Sequence, residues 1–187
     1  MQSILRRQSA TLQSRYEREH KGTRPALVVH TDDTTLFTYD MEVKGMHFTF
    51  DPQLQDEWVQ DERFPATPAM AAYVRKAKAV GYTIVGITGR SAGQESATLG
   101  NLAKVGYGDA FTDPDFYTKW SGAKPSYITC KVATACTTVE YKAGTRRYLE
   151  KEKNLTIVAS YGDQWSDLMG GHADLSVKLP NPTSYLP

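Results

Sequence analysis

Ala26-Leu27-Val28-Val29-His30-Thr31-Asp32-Asp33-Thr34-Thr35-Leu36 is the stretch that decides the fold. Four apolar residues in a row, two of them β-branched, mark a strand buried on both faces, as in a parallel sheet. The abrupt change to small polar residues marks its carboxyl end. Thr83-Ile84-Val85-Gly86-Ile87 repeats the pattern and ends in Thr88-Gly89-Arg90. Thr156-Ile157-Val158-Ala159-Ser160 repeats it again and ends in Gly162-Asp163, and Ser176-Val177-Lys178-Leu179 is a shorter fourth run. Helical patterns lie between them. Met70, Tyr73, Val74, Ala77 and Val80 follow helical spacing with Gly81 as the stop. Ser91 and Gln94 have the spacing of a capping box for a helix running to about Val105. Tyr141, Thr145, Tyr148 and Leu149 form a third helical stripe. This alternation predicts an α/β fold with a largely parallel sheet.

The flanks of that pattern set the organisation. Residues 4–20 read as a surface helix with a thin apolar stripe of Ile4, Leu5, Leu12 and Tyr16, broken by Lys21-Gly22-Thr23-Arg24-Pro25. Two stretches do not fit the rhythm: the aromatic segment 37–66, with a short helix around 52–62, and the Thr-rich segment 107–138. Long irregular connections in an α/β domain are usually functional or stapled. The chain has 187 residues, which suits one domain. Its 22 basic and 21 acidic residues give a net charge of +1, which removes the simplest case for nucleic-acid binding. No apolar run approaches the ~20 residues that span a bilayer. Met1 to Gly22 is polar throughout, unlike a signal peptide. Cys130 and Cys136 are too few for a four-Cys zinc site. A small disulfide loop and two free thiols both remain open.

Ligands of open parallel sheets bind outside the carboxyl ends of the strands. Those ends offer His30, Asp32, Asp33 and Thr34; Thr88 and Arg90; and Asp163 with Asp167 four residues on. Lys142 stands at the start of the helix before the third of these strands. Clustered carboxylates repel unless a cation or a proton lies between them. An oxygen-rich site suits Mg²⁺, and a nearby Lys and Thr suit a phosphoryl group.

These residues resemble the haloacid dehalogenase (HAD) superfamily, in particular its subfamily IIIB acid-phosphatase-like group, which includes secreted bacterial phosphatases and plant vegetative storage proteins. Val28 to Leu36 is similar to motif one, Asp-x-Asp-Asp-Thr-x-Leu after an apolar strand. Ile87-Thr88-Gly89-Arg90 is similar to motif two, Tyr141-Lys142 to motif three, and Gly162-Asp163-Gln164-Trp165-Ser166-Asp167-Leu168 to motif four. The ending Lys178-Leu179-Pro180-Asn181-Pro182 is also like the group, so the resemblance covers about residues 24–187. It implies a three-layer Rossmann-like core after an N-terminal helix in residues 1–23. A small cap would occupy about 37–66 and a disulfide-containing loop about 107–138. It implies Asp32 as general acid/base, and Thr88, Gly89, Arg90 and Lys142 as phosphate ligands. Asp163 and Asp167, with Asp32, would serve Mg²⁺. It pairs Cys130 with Cys136, and with that pairing implies an exported, mature chain. The substrate it implies is a small phosphorylated or anionic molecule, with no nucleic acid or membrane partner.

One position departs from the pattern: His30 stands where the family has its nucleophilic Asp. Shifting the nucleophile to Asp32 would put Thr34 in the general-acid place and leave Leu36 two residues short of its slot, so the unshifted register holds. Imidazole offers nitrogen where Mg²⁺ prefers oxygen, which weakens the metal site. Three functions remain open. One is a phosphatase of altered mechanism, with His30, Asp32 and Lys142 catalytic. Another is acid–base chemistry such as cyclisation, elimination or isomerisation using His30 and Asp32. The last is a non-catalytic binding or storage protein, or a nucleophile mutant.

Simpler readings apply to the neighbours. Asp33 and Thr35 read as loop-structuring hydrogen bonders, and Asp40 and Glu42 as solvated loop. Phe37, Tyr39, Phe48, Phe50 and Trp58 read as cap core. Trp165 suits the pocket wall or the core equally, and His47 and His172 read as isolated surface residues. Asn154-Leu155-Thr156 matches a glycosylation sequon, a pattern with many chance matches.

Overall fold

The computed structural model describes residues 1–19, 22–133 and 135–181. Lys21, read above as part of the helix break, and Pro182, in the C-terminal resemblance, lie outside them. Five parallel strands form one sheet in the order β3-β2-β1-β4-β5, with β1 Arg24–Val29, β2 Thr83–Ser91, β3 Phe116–Lys119, β4 Leu155–Gly162 and β5 Ser176–Lys178. The helices are α1 Gln2–Glu19, α2 Pro52–Gln60, α3 Met70–Val80, α4 Glu95–Leu102 and α5 Thr138–Glu152.

The period of two along each strand sorts its side chains between two cores. Leu27, Val29, Ile84 and Tyr161 pack with Leu5 and Leu12 of α1, Tyr73, Val74 and Ala77 of α3, and Leu102 of α4. Ala26, Val28, Val85 and Ile87 pack on the opposite face with Tyr141 and Leu149 of α5. A fully buried Val or Leu contributes about 1.5–3 kcal/mol, so continuous apolar strands sandwiched between helices are the main driving force. The N-terminal helix is part of this core. Tyr82 Oη donates to the Leu12 carbonyl at 3.0 Å, and the Tyr16 and Tyr82 rings meet edge to face at 5.3 Å. Gly81, with φ +120°, sits where any Cβ would strike the Tyr16 ring.

Three expectations need correction. The second strand does not stop at Ile87. After a shift in register it runs on to Ser91, which pairs with Lys119 of β3. Segment 107–138 is likewise not wholly irregular, because it supplies that edge strand. Phe116-Tyr117-Thr118-Lys119 is too short and too polar at one end to announce itself. The predicted helix to Val105 is α4 followed by a wide turn, Ala103–Tyr107, in which Gly106 adopts φ +99°.

Segment 37–66 leaves and rejoins the sheet beside the first strand's end. Phe37 N–H donates to the Pro65 carbonyl at 2.9 Å and Thr67 N–H to the Thr35 carbonyl at 2.8 Å. Cys130 and Cys136 form a disulfide with Cα atoms 5.0 Å apart. The loop it closes is tied to α5: Lys131 N–H donates to Glu140 Oε1 at 2.7 Å, and Thr137 and Glu140 form a capping box at the helix start.

Candidate active site

His30 follows β1 directly, and its N–H donates to the Tyr161 carbonyl of β4 at 3.0 Å. The sheet therefore fixes the backbone on which the imidazole stands. His30 Nδ1 lies 3.2 Å from Asp163 Oδ1 and 3.3 Å from Asp167 Oδ2. Its Nε2 lies 3.1 Å from Lys142 Nζ, and Lys142 also donates to Asp167 Oδ1. All four side chains are buried. The ammonium of Lys142 can only donate, so Nε2 is the acceptor and the Nδ1–H proton is aimed at the two carboxylates.

Asp163 is the most densely bonded member. Thr34 Oγ1, Gln164 Nε2 and Asn181 Nδ2 donate to it at 2.9, 2.7 and 2.7 Å. Burial pushes its pKa up, but the bonds from His30, Asn181 and Thr34 outweigh this and hold it at about 2. Gly162 makes the turn possible, since a Cβ there would overlap the Asp167 side chain. Arg146, almost completely buried, fastens the same turn. It donates to the carbonyls of Asp167, Met169 and Gly171 at 2.8, 2.5 and 2.9 Å. Burial lowers its pKa to about 10.

Above this cluster opens a cleft of about 470 Å³. His30, Asp32, Asp33, Glu42, Gly89, Arg90, Lys142 and Asp163 line it, with Met41, Phe48 and Phe50. Asp32 stands apart from the His30 cluster. Arg90 Nη2 donates to its Oδ1 at 2.6 Å, and Nε reaches Oδ1 and Oδ2 at 3.1 and 3.3 Å. The guanidinium is itself fixed by Thr98 at 2.9 Å and by the Phe64 ring 4.9 Å away. Thr88 is completely buried; its Oγ1 accepts the Arg90 N–H at 3.2 Å, and it is not among the cleft's lining residues. Asp33 accepts the Thr38 N–H at 3.0 Å and Thr35 donates to the Thr31 carbonyl, as loop-structuring residues do.

Several simple readings fail. Phe48 and Phe50 are not core: they are 62 % and 65 % exposed and line the cleft. Glu42 is half-buried in the same cleft and not a solvated loop residue. Trp165 is exposed, with Lys178 Nζ 5.9 Å from its ring centre, and belongs to neither core nor cleft wall. His172 is not isolated, since Nδ1 lies 2.7 Å from Glu150 Oε2. Sequence reasoning assigns no site role to Asn181 or Arg146. Asn181 lies in the family-like ending Lys178-Leu179-Pro180-Asn181-Pro182, which carries no chemistry of its own, and Arg146 resembles any other charge on a polar helix.

A family model, HAD superfamily subfamily IIIB (acid phosphatase), matches residues 3–187. The chain belongs to that family. The soybean (Glycine max) Stem 28 kDa glycoprotein is 32 % identical over 173 residues, which is 86 % of this chain and 63 % of that protein. Acid phosphatase 1 of Solanum lycopersicum is 32 % identical over 140 residues, 73 % of this chain and 49 % of that protein. The chain thus spans less than two thirds of these curated relatives. The Class C acid phosphatase from Bacillus anthracis superposes with a TM-score of 0.69 at 21 % identity, over 99 % of this chain and 79 % of that one. That likeness establishes the three-layer HAD fold. No helix among the described residues is long and apolar enough to cross a membrane.

Subfamily membership raises the question of a divalent metal. Ligand atoms of His30, Asp163 and Asp167 all lie within 4.8 Å of one another, so this group could hold an ion. Mg²⁺ itself fits poorly, because it demands near-ideal octahedral oxygen ligation. Here one of three donors is nitrogen, and Lys142 at Nε2 keeps the proton on the Nδ1 atom that would have to bind. An ion held here would be one that accepts a nitrogen donor beside two carboxylates.

Proposed function

We propose that the protein is a phosphomonoester hydrolase in which His30 accepts the phosphoryl group. The observation that carries this reading is the orientation of the imidazole. Nδ1–H is held by Asp163 and Asp167 while the Nε2 lone pair faces Lys142. Two carboxylates behind the ring hold its orientation and stabilise the positive charge it gains on attack.

The Nε2 lone pair attacks phosphorus and the P–O bond to the alcohol breaks. Lys142 turns from Nε2 to a non-bridging phosphoryl oxygen and neutralises its charge. Asp32 gives its proton to the departing oxygen, then takes one from water. That water attacks phosphorus, the P–N bond breaks with its electrons returning to Nε2, and inorganic phosphate leaves. Arg90 positions Asp32, gripping Oδ1 more closely than Oδ2. A dedicated acid/base of this kind contributes about 10²–10⁴-fold in rate.

The experiment is a trap. Rapid acid and alkaline quenching of the protein with radiolabelled 4-nitrophenyl phosphate should give a base-stable, acid-labile phosphoenzyme, absent from His30→Ala. Turnover without that species, or turnover that survives His30→Ala, overturns the His30 mechanism. A second reading, ligand binding without turnover, is favoured by the internal partners of Lys142 and Arg90. The absence of phosphate release from every ester tried would select it.

A further inference from the structure

The cleft's charge does not match a simple phosphate ester. Four carboxylates line it, Asp32, Asp33, Glu42 and Asp163, against the cations Arg90 and Lys142. Both cations are engaged, Arg90 by Asp32 and Lys142 by Asp167 beneath it. Asp33 is satisfied by the Thr38 N–H and Asn181, and Asp163 by the bonds already described. Glu42 differs: its carboxylate makes no hydrogen bond or ion pair among the described residues. Burial, together with the charges of Asp33 and Asp32, raises its pKa, so the carboxylate stands in a field that a positive ligand would relieve.

The walls beside Glu42 have the matching character. Phe48 N–H donates to the Glu42 carbonyl at 3.0 Å, so the two residues are one turn of chain. His47 and Phe48 both hold left-handed backbone, with φ of 48° and 59°, a costly geometry for non-glycine residues. The ring so presented is exposed, as is that of Phe50, and Met41 completes the wall. Aromatic rings and a carboxylate lining the same cleft attract an organic cation through the ring quadrupole and by direct charge.

We infer that the outer half of the cleft, Glu42 with Phe48, Phe50 and Met41, receives an ammonium group on the alcohol half of the ligand. The inference rests on the reading of the cleft as the substrate site and names the substrate class: a phosphate ester whose own positive charge offsets the cleft's surplus of carboxylates. The anionic end lies on Lys142 and His30, and the cationic end lies among the rings.

Phosphocholine and its uncharged carbon isostere, 3,3-dimethylbutyl phosphate, test this by titration calorimetry on the full chain. Phosphocholine should bind at least about tenfold more tightly. Glu42→Gln should remove most of that ratio, by weakening phosphocholine relative to the isostere, and Phe48→Ala should reduce the ratio further. Equal affinities, an unchanged ratio in Glu42→Gln, or no detectable binding of either compound overturns the inference. Hydrolysis is scored separately. A failure to release phosphate from either ester sinks the hydrolase reading and leaves the affinity ratio standing.

Discussion

The floor and the rim of the cleft are built on opposite principles. On the floor, His30, Asp163, Asp167 and Lys142 are buried and hydrogen-bonded to one another and to Thr34, Gln164 and Asn181. At the rim, Glu42, Phe48 and Phe50 have unspent surface and, for Glu42, an unspent charge. Buried polar groups cost free energy unless satisfied, so the floor is a single cooperative unit whose members cannot be removed singly without penalty. The rim carries no such obligation. Stability should therefore reside in the floor, and selectivity among ligands in the rim.

The contrast breaks first at Arg146. Arg146→Ala would remove a donor from three carbonyls, of which only that of Asp167 is on a buried residue, and leave a cavity beneath the turn, at a cost of about 3 kcal/mol. Urea unfolding at neutral pH measures this, and a loss below about 1 kcal/mol would mean the turn does not depend on its clamp. A smaller effect comes from acid. The Asp163 pKa of about 2 lies below the ordinary carboxylate value of 3.8, so its contribution is complete above that value and is lost as pH falls toward 2. The loss should be about 2 kcal/mol in the urea midpoint series, and Asp163→Asn should flatten that part of the profile. An equally steep profile in the variant would place the acid sensitivity elsewhere. The smallest effect belongs to the rim: Phe50→Ala should change stability by less than about 0.5 kcal/mol. A larger loss would show that the ring serves the fold as well as the cleft.

How much of this could be read in the sequence follows from the range over which each signal acts. The strands β1, β2 and β4 were legible because burial on both faces forces continuous apolar runs. β3 was not, because an edge strand of four residues carries too little pattern. The chemistry-bearing residues His30, Asp32, Gly89, Arg90, Lys142 and Asp163 do meet at one cleft, since strand ends and the first turn of a helix converge there. Their pairings were not legible. Arg90 holds Asp32 across 58 positions and Asn181 reaches Asp163 across 18, and no local spacing encodes either bond. Phe48 and Phe50 were misplaced for another reason. An aromatic residue reads as core by composition, and only the backbone turn at His47 and Phe48 sends it outward.

The clasp at the base of segment 37–66 has a consequence for how such a protein can change over time. Two backbone hydrogen bonds, from Phe37 N–H to Pro65 and from Thr67 N–H to Thr35, pair Leu36 with Ala66 and close the two ends of the insertion against each other. The segment between them is tied to the body as well, Phe64 to Asn101 and Asp56 to Gln94, and Val59 and Phe64 lie in the main core, whereas the rim residues Glu42, Phe48 and Phe50 stand outside that core. Substitutions at those rim positions can therefore explore new ligands while the rest of the segment stays fixed in the core. The chemistry below need not be rebuilt each time the appetite of the cleft is altered.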